Sequence, residues 1–108
     1  MQVFYHLIYE YQKGLRDLCL FTCSNEFEAK IKTALDNQEI QYMFCEIEGG
    51  KINVFFGMNE CIEIIKQFSC EELNKLSVEE DFILGMMLGY GKAQQYQRFL
   101  TRKKIAMT

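Results

Sequence analysis

Proline is absent from this chain of 108 residues, and histidine occurs once. Because chains without proline seldom carry long irregular loops, we expect helices and strands joined by short turns. The single histidine, His6, leaves no Ser-His-Asp arrangement that the sequence can define. Long apolar runs are also lacking. The longest charge-free apolar run spans residues 82–90, far fewer than a membrane-spanning helix needs, so we expect no membrane segment.

The charge balance is mildly acidic and the composition is that of a folded protein. Hydrophobic residues make up 49% of the chain and charged residues 25%, which is typical of globular rather than disordered proteins. The net charge of −3 argues against a general polyanion binder, although it leaves room for a local basic patch. The length suits one domain, so we predict a single α+β domain over residues 1–108.

The cysteines show no spacing typical of a metal or redox site. They are Cys19, Cys23, Cys45, Cys61 and Cys70, and none forms a CxxC pair. Four residues along a regular strand separate two side chains by about 13 Å, too far for Cys19 and Cys23 to bind one tetrahedral metal. We predict neither a metal nor a cofactor. Cys70 is the best candidate for a reactive thiol, since it would lie at a helix N-terminus.

The start of the sequence does not have the basic and then apolar character of a signal peptide. Together with the odd number of cysteines, this favours a cytoplasmic protein with reduced thiols.

The first three quarters of the chain predict the same unit twice, a β-hairpin followed by a helix. Residues 1–9 and 15–23 are rich in aromatic and branched side chains and flank a turn that ends in glycine, and a helix then extends to about residue 37. Residues 40–47 and 52–56 form the second hairpin around Gly49 and Gly50, and Asn59 begins the second helix. The predicted order over residues 1–76 is therefore ββαββα.

Two further helices are predicted over residues 77–104. Ser69 with Glu72, and Ser77 with Glu80, have the spacing of capping boxes. The second box opens a helix over residues 78–88, and Gly89 ends it. A last helix covers residues 92–102, where we expect one apolar stripe to face inward and the basic and glutamine side chains to face outward; the stripe consists of Ala93, Tyr96 and Leu100.

These elements predict a two-layer α+β fold with a four-stranded, largely antiparallel sheet. The two amphipathic helices cover one face of the sheet. Large apolar side chains alternate onto both faces, however: Leu18 and Leu20 point one way, and Cys19 and Phe21 the other. The second face must then meet the C-terminal helices or another copy of the chain. Because another copy could cover it, we expect a homodimer.

The C-terminal pair of helices invites two interpretations. Joined through glycines and followed by basic residues, it could be a helix-turn-helix that reads nucleic acid, with base contacts from Gln94, Gln95 and Gln97; its basic residues are Lys92, Arg98, Arg102, Lys103 and Lys104. Against this, the first of these helices begins with acids and is apolar nearly all round, which indicates packing. Gly85 and Gly89 lie four residues apart on that helix and would let another backbone come close. We expect them to face the chain's own sheet, with a second subunit as the alternative.

Three segments resemble the bacterial domain-of-unknown-function 2023 family: VFYHLIYEYQKGLRDLCLFT (residues 3–22), INVFFGMNECIEII (52–65) and EEDFILGMMLGY (79–90). The resemblance extends to Tyr90 and implies a small bacterial α+β protein that forms a homodimer and has no assigned activity. It supplies no active-site residue. Its distinctive positions are candidate binding residues, namely Tyr5, His6, Phe55, Phe56, Gly85 and Gly89.

The sequence thus favours a cytoplasmic homodimer that acts through protein interaction or regulation rather than catalysis, with an unidentified protein partner as a further possibility. We expect no catalytic residues and no nucleic acid partner. A nucleic-acid-binding protein that uses the C-terminal helix pair is the first alternative. A small enzyme with a site around His6, Tyr5 and Tyr9 is the second.

Overall fold

The computed structural model describes residues 1–68 and 73–106, and this part of the chain is mixed α+β. Its helices are α1 (Gln2–Gln12), α2 (Glu28–Asn37), α3 (Asn59–Ile65), α4 (Val78–Met87) and α5 (Lys92–Ala106), and its strands are β1 (Leu18–Ser24), β2 (Gln41–Ile47) and β3 (Lys51–Gly57). Short 3-10 turns occupy Asn25–Phe27 and Leu73–Lys75. None of the helices in these two ranges has the length and apolar character needed to cross a bilayer.

The strands form an antiparallel sheet in the order β1-β3-β2. Phe55 at the centre of β3 lies opposite Leu20 of β1 on one side and Met43 of β2 on the other. The hairpin between β2 and β3 confirms the turn predicted at Gly49 and Gly50, both of which have positive φ values.

The strand predicted over residues 1–9 is wrong, because this segment lies within helix α1. Phe4, Leu7, Ile8 and Tyr11 contact one core cluster and follow the i, i+3, i+4, i+7 spacing of a helix. The run of aromatic and branched residues here suits either structure locally, but it does not alternate as a strand with one wet face would. The described part of the sheet therefore has three strands instead of the predicted four, and the ββαββα order is not found.

Helices cover both faces of the sheet, so the predicted two-layer arrangement also needs correction. On one face, α1 and α2 pack on the sheet through a buried cluster of Phe4, Ile8, Cys19, Ile31, Leu35, Ile40, Ile52, Val54 and Phe56. On the other, α3 and α4 pack through Leu18, Cys45, Phe55, Cys61, Ile62, Ile65, Leu76, Leu84 and Leu88. Helices α2 and α3 were expected on the same face and lie on opposite ones.

The alternation of apolar side chains onto both sheet faces is confirmed. Leu18 and Leu20 belong to one cluster, while Cys19 and Phe21 belong to the other. Of the two covers considered for the second face, the chain's own C-terminal region provides one through α4. The need to cover this face therefore no longer argues for a dimer.

Helix α4 begins and ends within one residue of the positions that the sequence predicted. The Ser77 hydroxyl accepts a hydrogen bond from the Glu80 amide at 3.1 Å, and the Glu80 carboxylate accepts one from the Ser77 amide at 2.9 Å. This confirms the second capping box. Gly89 follows α4 with φ +79°, as a left-handed C-terminal residue should. The other predicted box, Ser69 with Glu72, and the candidate thiol Cys70 lie outside the described residues.

Candidate functional site

Tyr5 and His6 lie on the exposed face of α1. The imidazole Nε2 of His6 is 3.3 Å from a carboxylate oxygen of Glu10, one helical turn away. Its ring stacks on that of Tyr9 with centroids 6.3 Å apart. Because α1 is a helix, His6 points away from Phe4 and Ile8, the neighbours with which the predicted strand would have aligned it. The surface around them is polar and aromatic.

Phe55 and Phe56 are core residues on opposite faces of β3. Phe56 is fully buried against α1, where its ring meets that of Phe4 edge-on at 5.6 Å between centroids. Phe55 is buried in the cluster beneath α3 and α4. Neither side chain joins the other or approaches the exposed face of α1, so the structure does not bring the candidate residues together in one site.

Gly85 faces α5 instead of the sheet or a second subunit. The amide of Gln95 occupies the space that a Cβ on Gly85 would take, and Gln95 is a buried polar residue. No heavy atom of another segment lies within 4 Å of the corresponding position on Gly89. The two glycines therefore have different roles. Gly85 admits a side chain from α5, whereas Gly89 ends α4.

Acidic residues at the start of α4 bind the cations of α5. The Asp81 carboxylate accepts two hydrogen bonds from Arg98, at 2.8 and 3.1 Å, and lies 3.1 Å from the Arg102 guanidinium. Lys103 pairs with Glu79. Hydrogen bonds from Arg98 are the main cause of the lowered pKa of Asp81, whereas burial of the carboxylate raises this pKa. The basic face of α5 is thus turned toward α4.

The apolar stripe of α5 faces solvent, contrary to the sequence prediction. Ala93 is exposed, as are Tyr96, with 49% of its surface accessible, and Leu100, with 66%. Two aromatic contacts to Phe82 mark the edge of the helix pair, with ring centroids 5.1 Å from Phe99 and 6.1 Å from Tyr96. The arrangement reverses that of an ordinary surface helix, which buries its apolar side.

A groove of about 920 Å³ lies beside the β2–β3 hairpin and was not anticipated from the sequence. Thr22 and Asn53 line it, and the threonine hydroxyl donates a hydrogen bond to the side-chain oxygen Oδ1 of Asn53 at 2.5 Å. Carboxylates and ammonium groups line its rim, from Glu46, Glu48, Lys51 and Lys75. The one signal in the sequence is Asn53, a polar residue within the apolar strand KINVFFG.

Among residues 1–68 and 73–106, no three histidine, cysteine or acidic side chains are grouped so that they could hold a metal ion. Cys19, Cys23 and Cys61 are free thiols. Burial raises the pKa of the Cys19 thiol to about 11, which makes it a poor nucleophile at neutral pH. Cys45 is disulfide-bonded, so the expectation that all the thiols are reduced is not met.

Comparison with known proteins gives a family but no activity. No curated protein matches the chain. The model of a family described as a protein of unknown function, DUF2023, matches residues 2–102. This match includes every helix and strand of the fold up to most of α5, and it confirms the resemblance seen in the sequence. The chain therefore belongs to the DUF2023 family of proteins of unknown function.

Proposed function

We propose that the protein is a homodimeric interaction or regulatory module of the cytoplasm, without catalytic activity of its own. One observation carries the proposal: α5 directs Arg98, Arg102 and Lys103 to acids of α4 and leaves the apolar side chains of Tyr96 and Leu100 exposed to solvent. Apolar side chains exposed together on one helix face are typical of a protein-binding site.

A second copy of the chain is the simplest occupant of this surface. Most soluble oligomers are assembled from identical subunits by closed symmetry, and the twofold dimer is the commonest form. An unidentified protein partner of other sequence would use the same side chains. The bacterial origin implied by the resemblance belongs to this proposal too.

The catalytic alternative has little support. Its candidate centre, His6, lies on the outside of α1, where its side chain is 69% exposed and pairs with Glu10. General acid–base catalysis requires a group positioned against a bound substrate. The two aromatic residues that were to accompany it, Tyr5 and Tyr9, are also exposed on α1, at 48% and 53%.

The nucleic-acid alternative is weakened by the ion pairs of α5. Arg98, Arg102 and Lys103 are bound by acids of α4, and the buried Gln95 cannot reach a base edge. Binding to phosphates would have to break these pairs or depend on Lys92 and Lys104. Any binding seen in a mobility-shift assay at low salt, and lost when these two lysines are neutralised, would favour this alternative.

Light scattering coupled to gel filtration tests the proposal. We expect a dimer at micromolar concentration for the unaltered protein and a monomer for Leu100→Glu, because a carboxylate in the apolar contact costs desolvation energy. Thr101→Glu is the matched control, since it places the same charge on the adjacent exposed position of α5. A monomeric unaltered protein, or equal dissociation of both variants, would count against the proposal.

A further inference from the structure

We infer that each copy of the chain places the exposed face of its α5 on the outward face of the partner's α3, so that the contact occurs twice in the dimer. The inference rests on the proposed homodimer and names its interface. It follows from the chemistry of two helix faces and from their positions in the fold.

The outward face of α3 combines apolar and acidic side chains. Cys61, Ile62 and Ile65 point into the core. On the opposite side, Ile64 is 38% exposed. Glu60 and Glu63 are exposed on this same side, because helix positions three or four apart share a face.

The outward face of α5 has matching apolar character and the opposite charge. Helix α5 contains no acidic residue. Its inward cations are held by Asp81 and Glu79, while Lys92 and Lys104 are exposed near its two ends. Tyr96 and Leu100 lie between these lysines. In the proposed contact, the apolar residues flanked by ammonium groups therefore face Ile64 and its neighbouring carboxylates.

Charge favours this pairing over a contact of either helix face with its own copy. Two α5 helices packed against each other would bring basic residues together, and two α3 helices would bring acids together. Like charges in an interface disfavour association, whereas opposite potentials speed it and set its register. The contact between α5 and α3 is the one in which both the apolar and the charged groups are matched.

Helices α3 and α4 cover the same face of the sheet through a common core, and α5 packs on α4. In a twofold dimer of the proposed kind, α5 of each copy meets α3 of the other. Such a dimer is closed, because both contacts are made within one pair of chains.

Two charge-reversed variants test the inference by sedimentation velocity at low salt. The α5 variant carries Lys92→Glu and Lys104→Glu, and the α3 variant carries Glu60→Lys and Glu63→Lys. In either variant alone, both contacts of the homodimer oppose like charges, and we expect Kd to rise at least tenfold. In an equimolar mixture, the acidic α5 of one chain meets the basic α3 of the other, and the remaining contact is as in the unaltered protein. We expect the mixture to form a heterodimer.

The control reverses two exposed carboxylates elsewhere, Glu46→Lys and Glu48→Lys in the β2–β3 hairpin, and should dimerise like the unaltered protein. Circular dichroism verifies that each variant is folded. If the α3 variant does not fold, the neutral variant Glu60→Gln with Glu63→Gln replaces it, and this variant should also weaken the dimer.

The outcomes separate the two proposals. A monomeric unaltered protein overturns the homodimer and the interface together. A dimer that the α3 variant leaves intact overturns the interface alone, whether or not the α5 variant dissociates. Dissociation of both variants without a heterodimer in the mixture also overturns it.

Discussion

The amide group of Gln95 lies over the Cα of Gly85, in the space that any larger side chain at position 85 would fill. Glycine in the interior of a helix costs up to about 1 kcal/mol relative to alanine. The close approach of α5 explains why the chain tolerates that cost. Gly85 and Gln95 therefore form one structural unit that sets how α4 and α5 pack.

A double-mutant cycle on this pair should show strong coupling. We expect Gly85→Ala to destabilise the protein, because the new methyl group displaces a buried amide. In a Gln95→Ala background the same change should stabilise it, since only the gain in helix propensity remains. The coupling energy should be about 1–3 kcal/mol in urea unfolding. Gln94→Ala, at the exposed neighbouring position, provides the control background, and a coupling near zero for Gln95 would contradict the packing described.

Arg16 ties the first helix to the end of α4, and its removal should be costly. Its Nη1 donates to the Leu88 carbonyl oxygen at 2.9 Å, while its Nε lies 3.2 Å from Glu10. Arg16→Met keeps the aliphatic stem but leaves a helix-end carbonyl without its charged donor. We expect a loss of about 1–2 kcal/mol in the free energy of unfolding. Lys32→Met on the exposed face of α2 should change it little, and equal effects would refute the role assigned to Arg16.

Gly57 occupies a backbone position that only glycine adopts readily. It is buried, its φ is +148°, and a Cβ there would collide with the Asp17 carbonyl oxygen. That oxygen also accepts a hydrogen bond from the Met58 amide at 2.9 Å, so it cannot move freely. Gly57→Ala should thus cost about 2 kcal/mol or more in unfolding free energy, the sum of backbone strain and steric conflict.

Gly14 supplies the control for this substitution. Its φ is also positive, at +77°, but a Cβ there meets no other segment within 4 Å. Gly14→Ala should cost only the strain of the left-handed conformation, about 1 kcal/mol. Similar losses for the two variants would show that the approach of Asp17 to Gly57 carries no energetic weight.

Asp81 should make the stability of the protein depend on pH in the acid range. Hydrogen bonds from Arg98 lower its pKa in the folded state. The stabilisation is therefore complete above the unfolded-state pKa of about 3.9 and is lost as the pH falls through the lower, folded-state pKa. Asp81→Asn should be less stable than the unaltered protein at pH 7, and the difference should shrink below about pH 4.

Chemical denaturation at several pH values measures this difference. Glu48→Gln, an exposed carboxylate on the hairpin, is the control and should give a nearly constant difference over the same range. High salt should also reduce the effect of Asp81→Asn, because the ion pairs lie near solvent and are screened. A difference that stays constant from pH 7 to pH 2 would argue against the pairing of Asp81 with Arg98.

Local signals predicted the second half of the sheet and the helix ends well. The turn at Gly49 and Gly50, the capping box of Ser77 and Glu80 and the stop at Gly89 each depend on a few adjacent residues, and each occurs as expected. The same approach wrongly predicted a strand over residues 1–9, because their aromatic and branched side chains are also typical of strands. The helical spacing of Phe4, Leu7, Ile8 and Tyr11 was the signal for a helix, and their packing against the sheet shows it.

The exposed stripe of α5 also combines a correct prediction with a wrong one. Tyr96 and Leu100 were correctly placed on one stripe of a helix, but the stripe was assigned to the wrong side. Hydrophobic patterning favours burial of that stripe, whereas Asp81 holds Arg98 and Arg102 on the opposite side of α5 and turns the stripe outward. Ion pairs between segments separated by seventeen or more residues leave no periodic signal in a sequence.

By itself, the sequence determined the family, the mixture of helices and strands, the alternation of apolar residues onto two sheet faces and the ends of α4. These features depend on spacing and on the conformational preferences of single residues. Tertiary structure alone decided that α2 and α3 lie on opposite faces and that α5 exposes its apolar side. Each of these depends on which surfaces meet, and distant contacts such as those of Gln95 with Gly85 and Arg16 with Leu88 establish it.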